Sequence, residues 1–288
     1  MMEFLVQAGW TAGNPTMIAT CKRLGLFLVC FALAATAHAE LQTREIEYEV
    51  DGEPYVGYMA WDDTVAGERP GVLVVHEWWG HDDFARDQAE RLARAGYTAF
   101  ALDMYGAGKQ ADHPDEAGAF AREATRRFED VVDRFTEARR ILAAHETVDG
   151  DRIAAQGYCF GGSIVLNMAR AGADLAGVVS YHGSLGNLVP VDERDLKARV
   201  QVYTGGADVM VPPDQVAGFV EEMQSEGADL TLVSFPDARH SFMNPAADAK
   251  AERFGMPIGY DEAAAERAWR GTLAFYEEIF ASGASAAE

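Results

Sequence analysis

Short apolar segments alternate with longer amphipathic ones from residue 44 to residue 280. At the start of this region, two segments with strictly alternating polar and apolar residues, 44–50 and 55–61, flank Asp51-Gly52, a pair favoured in tight hairpin turns. We therefore predict an antiparallel hairpin there. The unbroken apolar run that follows, 71–75, is typical of a strand buried on both faces of a parallel sheet.

The rest of the region repeats this succession of strand and helix. Strands that are separated by helices form βαβ units with right-handed crossovers. We therefore predict an α/β fold with a mainly parallel, twisted sheet, helices on both faces and the N-terminal hairpin. No linker rich in proline, glycine or serine divides residues 40–288, so we expect one domain. The remaining predicted strands are 97–102, 152–157, 176–181, 199–204 and 230–234, and the predicted helices are 84–95, 116–145, 161–171, 213–226 and 261–280.

The first 39 residues depart from this pattern. Two cations precede a short apolar run, 24–35, and the small residues that a signal peptidase requires follow at Ala37 and Ala39. The run is shorter than a typical membrane span of about 20 residues. We predict a signal peptide over Met17–Ala39, preceded by an over-long start at 1–16. A short uncleaved anchor is the alternative.

Composition and charge narrow the possible functions. The 288 residues include 46 acidic and 24 basic side chains, for a net charge of −22. A surface this negative repels phosphate backbones and anionic headgroups, so we expect no nucleic-acid binding and no stable membrane association after signal cleavage. Cleavage leaves Cys159 as the only cysteine of a periplasmic or secreted chain. A single thiol in an oxidising compartment is a liability unless it is buried or used.

Cys159 lies in the hexapeptide GYCFGG, 157–162, between a predicted strand and a predicted helix. This is the G-x-nucleophile-x-G form of a nucleophile elbow. Its glycines give the space that a sharp strand-to-helix turn needs, and the N-terminus of the following helix favours a thiolate. Because a bare G-x-C-x-G is a weak signal, the prediction depends on the partners of the cysteine.

Two polar residues supply those partners. Asp208 follows the strand 199–204 in a glycine-rich loop, and His240 follows the strand 230–234. Nucleophile, acid and histidine occur in this order in α/β hydrolases, each at the carboxyl end of a strand. We predict that His240 deprotonates Cys159, that Asp208 fixes the imidazole tautomer, and that backbone amides receive the oxyanion. The weaker candidates for the base are His76, His81, His113, His145 and His182.

Four motifs together resemble the dienelactone hydrolase family of α/β hydrolases. They are the elbow GYCFGG, HEWWG at 76–80, GGADVMVPP at 205–213 and ARHSF at 238–242. The resemblance covers residues 44–280. It implies the α/β-hydrolase fold and the hydrolysis of a small-molecule ester or lactone, as by carboxymethylenebutenolidase, and we expect neither a metal nor an organic cofactor.

The resemblance also implies roles for individual residues. The nucleophile falls on Cys159, the acid on Asp208 and the base on His240. Glu77 would lie beside the resting thiol and help to generate the thiolate when substrate binds. The oxyanion hole would consist of the backbone N–H groups of Trp78 and Phe160.

The sequence departs from the family where its dienelactone-cleaving members bind the substrate carboxylate with arginines. The two matching places are the stretch 103–107 and Asn244, and neither holds an arginine. Because a carboxylate without a bidentate cation is costly to desolvate, activity on dienelactone itself is in doubt. The possible replacements are Lys109, Arg122 and Arg239, and the candidate substrate contacts are Trp79 as a pocket wall, Tyr105, His182 and Asn244.

The resulting hypothesis is an exported cysteine hydrolase of small esters or lactones that forms an acyl-cysteine intermediate. We expect a monomer or a weak homodimer. One alternative is the hydrolysis of another bond, such as a carbon–carbon or peptide bond, on the same scaffold. The other alternative is a binding protein that keeps a vestigial triad.

Overall fold

A central sheet of eight strands organises the computed structural model, which describes residues 41–189 and 194–284. The predicted signal peptide lies outside these residues and stays a prediction. The strands are β1 (Leu41–Val50), β2 (Glu53–Asp62), β3 (Arg69–Val75), β4 (Thr98–Leu102), β5 (Val148–Tyr158), β6 (Gly177–Tyr181), β7 (Arg199–Gly205) and β8 (Leu230–Phe235). The helices are α1 (Asp83–Arg94), α2 (Pro114–Ala124), α3 (Phe128–Ala143), α4 (Phe160–Arg170), α5 (Pro213–Ser225), α6 (Ala247–Phe254) and α7 (Glu262–Ala284).

The N-terminal hairpin forms as predicted. β1 pairs antiparallel with β2 along its whole length, from Leu41 opposite Asp62 to Val50 opposite Glu53. The turn residues Asp51 and Gly52 both have positive φ, 53° and 81°, as a two-residue type I′ turn requires. The hairpin therefore owes its register to the Asp-Gly pair.

The other six strands run parallel to one another, and the strand order is β1-β2-β4-β3-β5-β6-β7-β8. The central strands are buried on both faces, as their unbroken apolar sequences predict; every residue of β4 and of β6 is buried. Side chains of α1 and α7 cover one face, and those of α3, α4 and α5 cover the other. The predicted α/β-hydrolase fold is confirmed. Within the described residues, no helix combines the length and hydropathy that crossing a membrane would need.

One predicted helix, 116–145, is two helices in the structure. α2 ends because the Thr125 hydroxyl bonds back to the Ala121 carbonyl, and the backbone of Arg127 is extended. Arg134 on α3 donates to the free Ala124 carbonyl at the end of α2. The break therefore depends on the Thr125 hydroxyl and on a contact between the two helices. The spacing of apolar residues within the segment does not predict either interaction. α6 was not predicted at all.

The winding of the sheet reverses between β3 and β5. From β3 the chain crosses to β4 on one side, and after α2 and α3 it returns to β5 on the other side. In open parallel sheets, ligands bind at such a switch point, beyond the carboxyl ends of the strands. Those ends carry Glu77, Cys159, Asp208 and His240, after β3, β5, β7 and β8 respectively.

A buried ion pair fixes α4, the helix below this edge. Arg170 is 1% exposed, and its guanidinium forms bidentate bonds of 2.8 and 2.9 Å with the Glu222 carboxylate on α5. The same guanidinium donates to the carbonyls of Leu185 and Gly186. It therefore ties both helices to the loop after β6.

We predict that Glu222→Ala lowers the free energy of unfolding by about 3 kcal/mol, since the substitution leaves a buried guanidinium without its counter-charge. Glu123→Ala is the matched control because Glu123 pairs with Arg126 on the exposed surface, and its effect should stay below about 1 kcal/mol. Urea denaturation measures the change in the free energy of unfolding of both variants, and we expect their m-values to equal that of the wild type. Equal effects of the two variants would contradict the structural role of the Arg170 pair.

Candidate active site

Cys159 occupies a strained turn between β5 and α4. Its backbone has φ 52° and ψ −110°, an uncommon conformation for a residue other than glycine. A Cβ at Gly157 would lie 2.1 Å from the Gly161 carbonyl oxygen, and a Cβ at Gly161 would lie 2.2 Å from that of Val75. Both glycines are therefore required by space, as the sequence predicts, and the turn presents the Cys159 side chain to the cavity above the sheet.

Three hydrogen bonds hold this turn to the neighbouring strands. The Cys159 N–H is shared between the Tyr181 carbonyl at 3.0 Å and Nδ1 of His182 at 3.1 Å. The Gly161 N–H donates to the His76 carbonyl at 3.1 Å. The backbone of Cys159 is thus fixed to the ends of β3 and β6.

His240 and Asp208 form a buried pair. Nδ1 of His240 lies 2.8 Å from Oδ2 of Asp208, and both residues are at most 5% exposed. The other carboxylate oxygen, Oδ1, accepts the Met210 N–H at 2.8 Å. Nε2 of His240 is buried without a hydrogen-bond partner, and His240 lines the same cavity as Cys159. The structure therefore brings Cys159, His240 and Asp208 together in the order that a triad needs.

The environment of His240 favours a protonated imidazole. Burial opposes the charge, but the negative charge of Cys159 and the hydrogen bond with Asp208 outweigh it and raise the pKa of His240 from 6.5 to about 10. His240 is therefore an imidazolium at neutral pH and loses its proton as the pH approaches 10.

Glu77 is 1% exposed and is bound by two neutral donors. Oε1 accepts the Ser241 hydroxyl at 2.8 Å, and Oε2 accepts the Asn244 side-chain amide at 2.6 Å. Asn244 is 2% exposed and its amide binds Glu77, so the structure places it as a partner of that carboxylate, and its contact with substrate stays a prediction. Sequence reasoning did not single out Ser241, although it directly follows His240.

A second carboxylate lies near Glu77. Asp82 caps α1 by accepting the Ala85 N–H, and burial together with the charge of Glu77 raises the pKa of Asp82 to about 6. The Lys250 ammonium, 3.8 Å away, opposes this shift. The field of Glu77 therefore reaches a neighbouring helix N-terminus as well as the His240 loop.

A cavity of about 360 Å³ opens above Cys159. Its wall is mainly apolar. In the described part of the chain, Arg122 is the only lysine or arginine in that wall, and no carboxylate lies there. The lining residues are Trp78, Ala121, Arg122, Thr125, Cys159, Phe160, Ser163, Ser184, Leu188, Met210, Val211, His240, Ser241, Met256 and Ile258.

Both residues predicted to form the oxyanion hole line this cavity. Phe160 is the first residue of α4, so its N–H belongs to the unpaired N–H groups of a helix N-terminus. Trp78 follows Glu77, and its carbonyl accepts the Tyr105 hydroxyl at 3.1 Å. The structure thus places both residues beside Cys159, one from the β3 side and one from the β5 side.

The other predicted substrate contacts lie behind the cavity wall. Trp79 is 3% exposed and stacks on Phe254, so Trp78 lines the cavity instead. The pocket-wall prediction for Trp79 is wrong because α6, which was not predicted, covers its ring. Tyr105 is 7% exposed, and the burial of its ring and the nearby Cys159 raise the pKa of its hydroxyl.

His182 is also buried rather than open to substrate. Its Nδ1 accepts the Cys159 N–H, so in the neutral ring the proton is on Nε2, which has no partner. Burial and the nearby His240 hold the pKa of His182 well below its usual value. His182 therefore acts on the backbone of Cys159 as a neutral acceptor.

His76, which directly follows β3, is neutral for a similar reason. Burial lowers the pKa of His76 to about 4. Its Nε2 accepts the Met104 N–H at 3.2 Å, and Nδ1 lies 2.5 Å from the Glu77 carbonyl. His76 is thus a structural link between β3 and the loop after β4.

Of the three cations considered as replacements for the arginines, only Arg122 reaches the cavity. Lys109 lines a separate cavity, and Arg239 pairs with Asp248.

Comparison with known proteins agrees with this geometry. The model of the dienelactone hydrolase family matches residues 56–280. The chain belongs to the dienelactone hydrolase family. A protein of Aquifex aeolicus named "Putative carboxymethylenebutenolidase" is 27% identical over 69% of this chain and 86% of its own. Protein usf of Aquifex pyrophilus is 28% identical over 81% of this chain and 97% of its own.

A solved structure from metagenomic libraries extends the likeness to three dimensions. It is a dienelactone hydrolase-like promiscuous phosphotriesterase, 29% identical to this chain, with a TM-score of 0.78 over 84% of this chain and 99% of its own. The chain is therefore a hydrolase of the dienelactone hydrolase type, acting on ester or lactone bonds.

The charge state of His240 gives a direct test of the pair. We expect the imidazolium signals of His240 in NMR spectra to persist well above pH 8 and to disappear only as pH approaches 10. In Cys159→Ala the transition should move to lower pH, because the interaction with Cys159 no longer raises the pKa of His240. The signals of the exposed His113 should not change between the two proteins. A wild-type transition near pH 6.5 would contradict the raised pKa of His240.

Proposed function

We propose that this protein is an exported hydrolase of small esters or lactones that uses Cys159 as its nucleophile. The observation that carries the proposal is the joint placement of Cys159, the His240–Asp208 pair and two candidate oxyanion donors on one cavity. An elevated pKa of His240 supports the thiolate form of the nucleophile. The signal peptide predicted over Met17–Ala39 is the basis for proposing export.

Acylation starts from the state in which the Cys159 thiol has given its proton to Nε2 of His240, a state that the raised pKa of this imidazole favours. The thiolate attacks the carbonyl carbon of the ester, and the N–H groups of Trp78 and Phe160 stabilise the oxyanion that forms. Collapse of the tetrahedral intermediate breaks the bond to the alkoxy group, and the imidazolium returns its proton to that leaving group. In a lactone the alkoxide stays attached to the acyl chain.

Deacylation repeats these steps with water. His240 takes a proton from the attacking water, which adds to the carbonyl carbon of the acyl-cysteine. The second tetrahedral intermediate expels the thiolate, and the carboxylic acid leaves the cavity. Asp208 supports the imidazolium in both halves of the reaction through its 2.8 Å bond with Nδ1.

Glu77 supplies an additional proton acceptor in this proposal. Its carboxylate is bound by a hydroxyl and an amide, and such neutral donors form weaker hydrogen bonds to a carboxylate than an arginine does. Glu77 is therefore easier to release toward the thiol when substrate enters. Its link to Ser241, beside His240, couples that release to the base.

The role of Cys159 is tested by Cys159→Ala. We expect kcat for a short acyl ester to fall at least about a thousandfold, because both covalent steps need the sulfur, while circular dichroism remains unchanged. Iodoacetamide should add one label to the wild-type mature chain and none to the variant, as seen by intact mass. Retention of wild-type activity in Cys159→Ala would refute the proposal.

The role of Glu77 is tested by Glu77→Gln, which keeps the size of the side chain and removes its charge. We expect kcat/KM to fall at least about tenfold at neutral pH, with a shift of the acidic limb of the pH–rate profile. Asp82→Asn is the matched control because Asp82 is the neighbouring half-buried carboxylate and does not line the cavity. A change of less than twofold in kcat/KM of Glu77→Gln would contradict a role of Glu77 in proton transfer and leave it a structural role only.

A further inference from the structure

The catalytic cavity continues into an exposed apolar patch. Among the described residues, three large apolar side chains are exposed: Leu188 at 41%, Val209 at 68% and Met210 at 39%. Leu188 and Met210 also line the cavity, and Val209 directly precedes Met210. Exposed apolar surface that is gathered at one place marks a binding surface. We call these three residues the apolar rim.

Polar contacts from the core fix the positions of the rim. The Leu188 N–H donates to the buried Asn167 side chain at 2.7 Å, and the preceding carbonyls are bound by Arg170. The Met210 N–H donates to Asp208 at 2.8 Å. The backbone positions of the rim are therefore fixed by Asn167 and Arg170 of α4 and by Asp208.

The cavity provides little for a charged substrate group. In the part of the chain that the structure describes, Cys159 and the His240 imidazolium lie at the catalytic end of this wall. The rest of the wall contains one cation, the exposed side chain of Arg122, and otherwise apolar groups and a few hydroxyls. A carboxylate buried beyond Arg122 would lose its hydration without an ion pair or a bidentate donor. An uncharged apolar chain has no charged group to desolvate, and the burial of its apolar surface contributes favourable binding free energy.

We propose that the substrate is an ester or lactone whose acyl part carries an uncharged apolar chain, which runs from Cys159 through the cavity onto the apolar rim. This inference rests on the proposed function. The acyl part is the one that stays attached to Cys159 in the intermediate, so its binding assists both halves of the reaction. Chains of intermediate length fill the cavity, and longer ones reach Leu188, Val209 and Met210.

Chain-length dependence gives the first test. We measure kcat/KM for p-nitrophenyl esters from acetate to decanoate, all below their critical micelle concentrations. Burial of each methylene predicts a gain of about fourfold per added carbon until the chain leaves the rim. Hydrolysis of the acetate with no gain for longer chains would overturn the inference and leave the proposed function intact. No hydrolysis of any ester would overturn both.

The charge of the chain end gives the second test. Mono-p-nitrophenyl suberate matches the octanoate in length but ends in a carboxylate. The wild type should prefer the octanoate at least tenfold. A preference for the suberate that disappears in Arg122→Gln would overturn the inference and assign the cavity to acidic substrates.

The rim itself is tested with Val209→Ser. We expect this variant to lower kcat/KM for the decanoate about threefold, through KM, and to affect the acetate much less. Val65→Ser is the matched control, since Val65 lies between β2 and β3 at the opposite end of the sheet; its chain-length profile should equal that of the wild type. Equal losses for all esters in Val209→Ser would overturn the inference. An unchanged profile with reduced binding to phospholipid vesicles would also overturn it and assign the rim to a membrane surface.

Discussion

The strand-to-helix turn at Cys159 is the constraint on which the site depends. A residue with a side chain adopts φ 52° there because the backbone around it is fixed from three directions: by the Tyr181 carbonyl, by His182 and by the bond from Gly161 to His76. The absence of side chains at Gly157 and Gly161 is what lets these backbones approach one another. The strain is sustained by central strands that are buried on both faces, and the sulfur is thereby positioned before any substrate is present.

Three buried histidines at this edge of the sheet show how environment decides protonation. Burial disfavours the charge of all three. In His76 and His182 a backbone hydrogen bond offsets burial only in part, so both remain neutral acceptors of backbone N–H groups. His240 differs because Cys159 and the Asp208 carboxylate both favour its charged form. The same residue type therefore supplies two neutral structural links and one imidazolium at neutral pH.

Much of the fold was predictable because each element follows from local chemistry. The Asp51-Gly52 turn fixes the hairpin, the apolar runs mark the buried strands, and the chain order of nucleophile, acid and histidine places Cys159, Asp208 and His240 at one edge. The errors concern contacts between distant segments. Arg134 divides the helix predicted over 116–145, and α6 buries Trp79, so that Trp78 becomes the cavity wall. Asn244 and His182 were expected to face substrate because their positions along the chain lie near the site. Position along the chain does not show that each is already bound to a neighbour.

Asn244 links the mechanism to the choice of substrate. By the family resemblance this position holds an arginine that binds the substrate carboxylate in members that cleave dienelactone. An asparagine here removes that cation, and its amide instead binds Glu77 together with Ser241. An arginine at this place would hold Glu77 by a charge-assisted bond until an anionic substrate competed for it. Neutral donors hold the carboxylate less strongly, so in the proposed mechanism its release needs no anionic competitor. Two properties of the site therefore agree with an uncharged substrate. The release of Glu77 needs no anion, and the cavity wall consists mainly of apolar side chains.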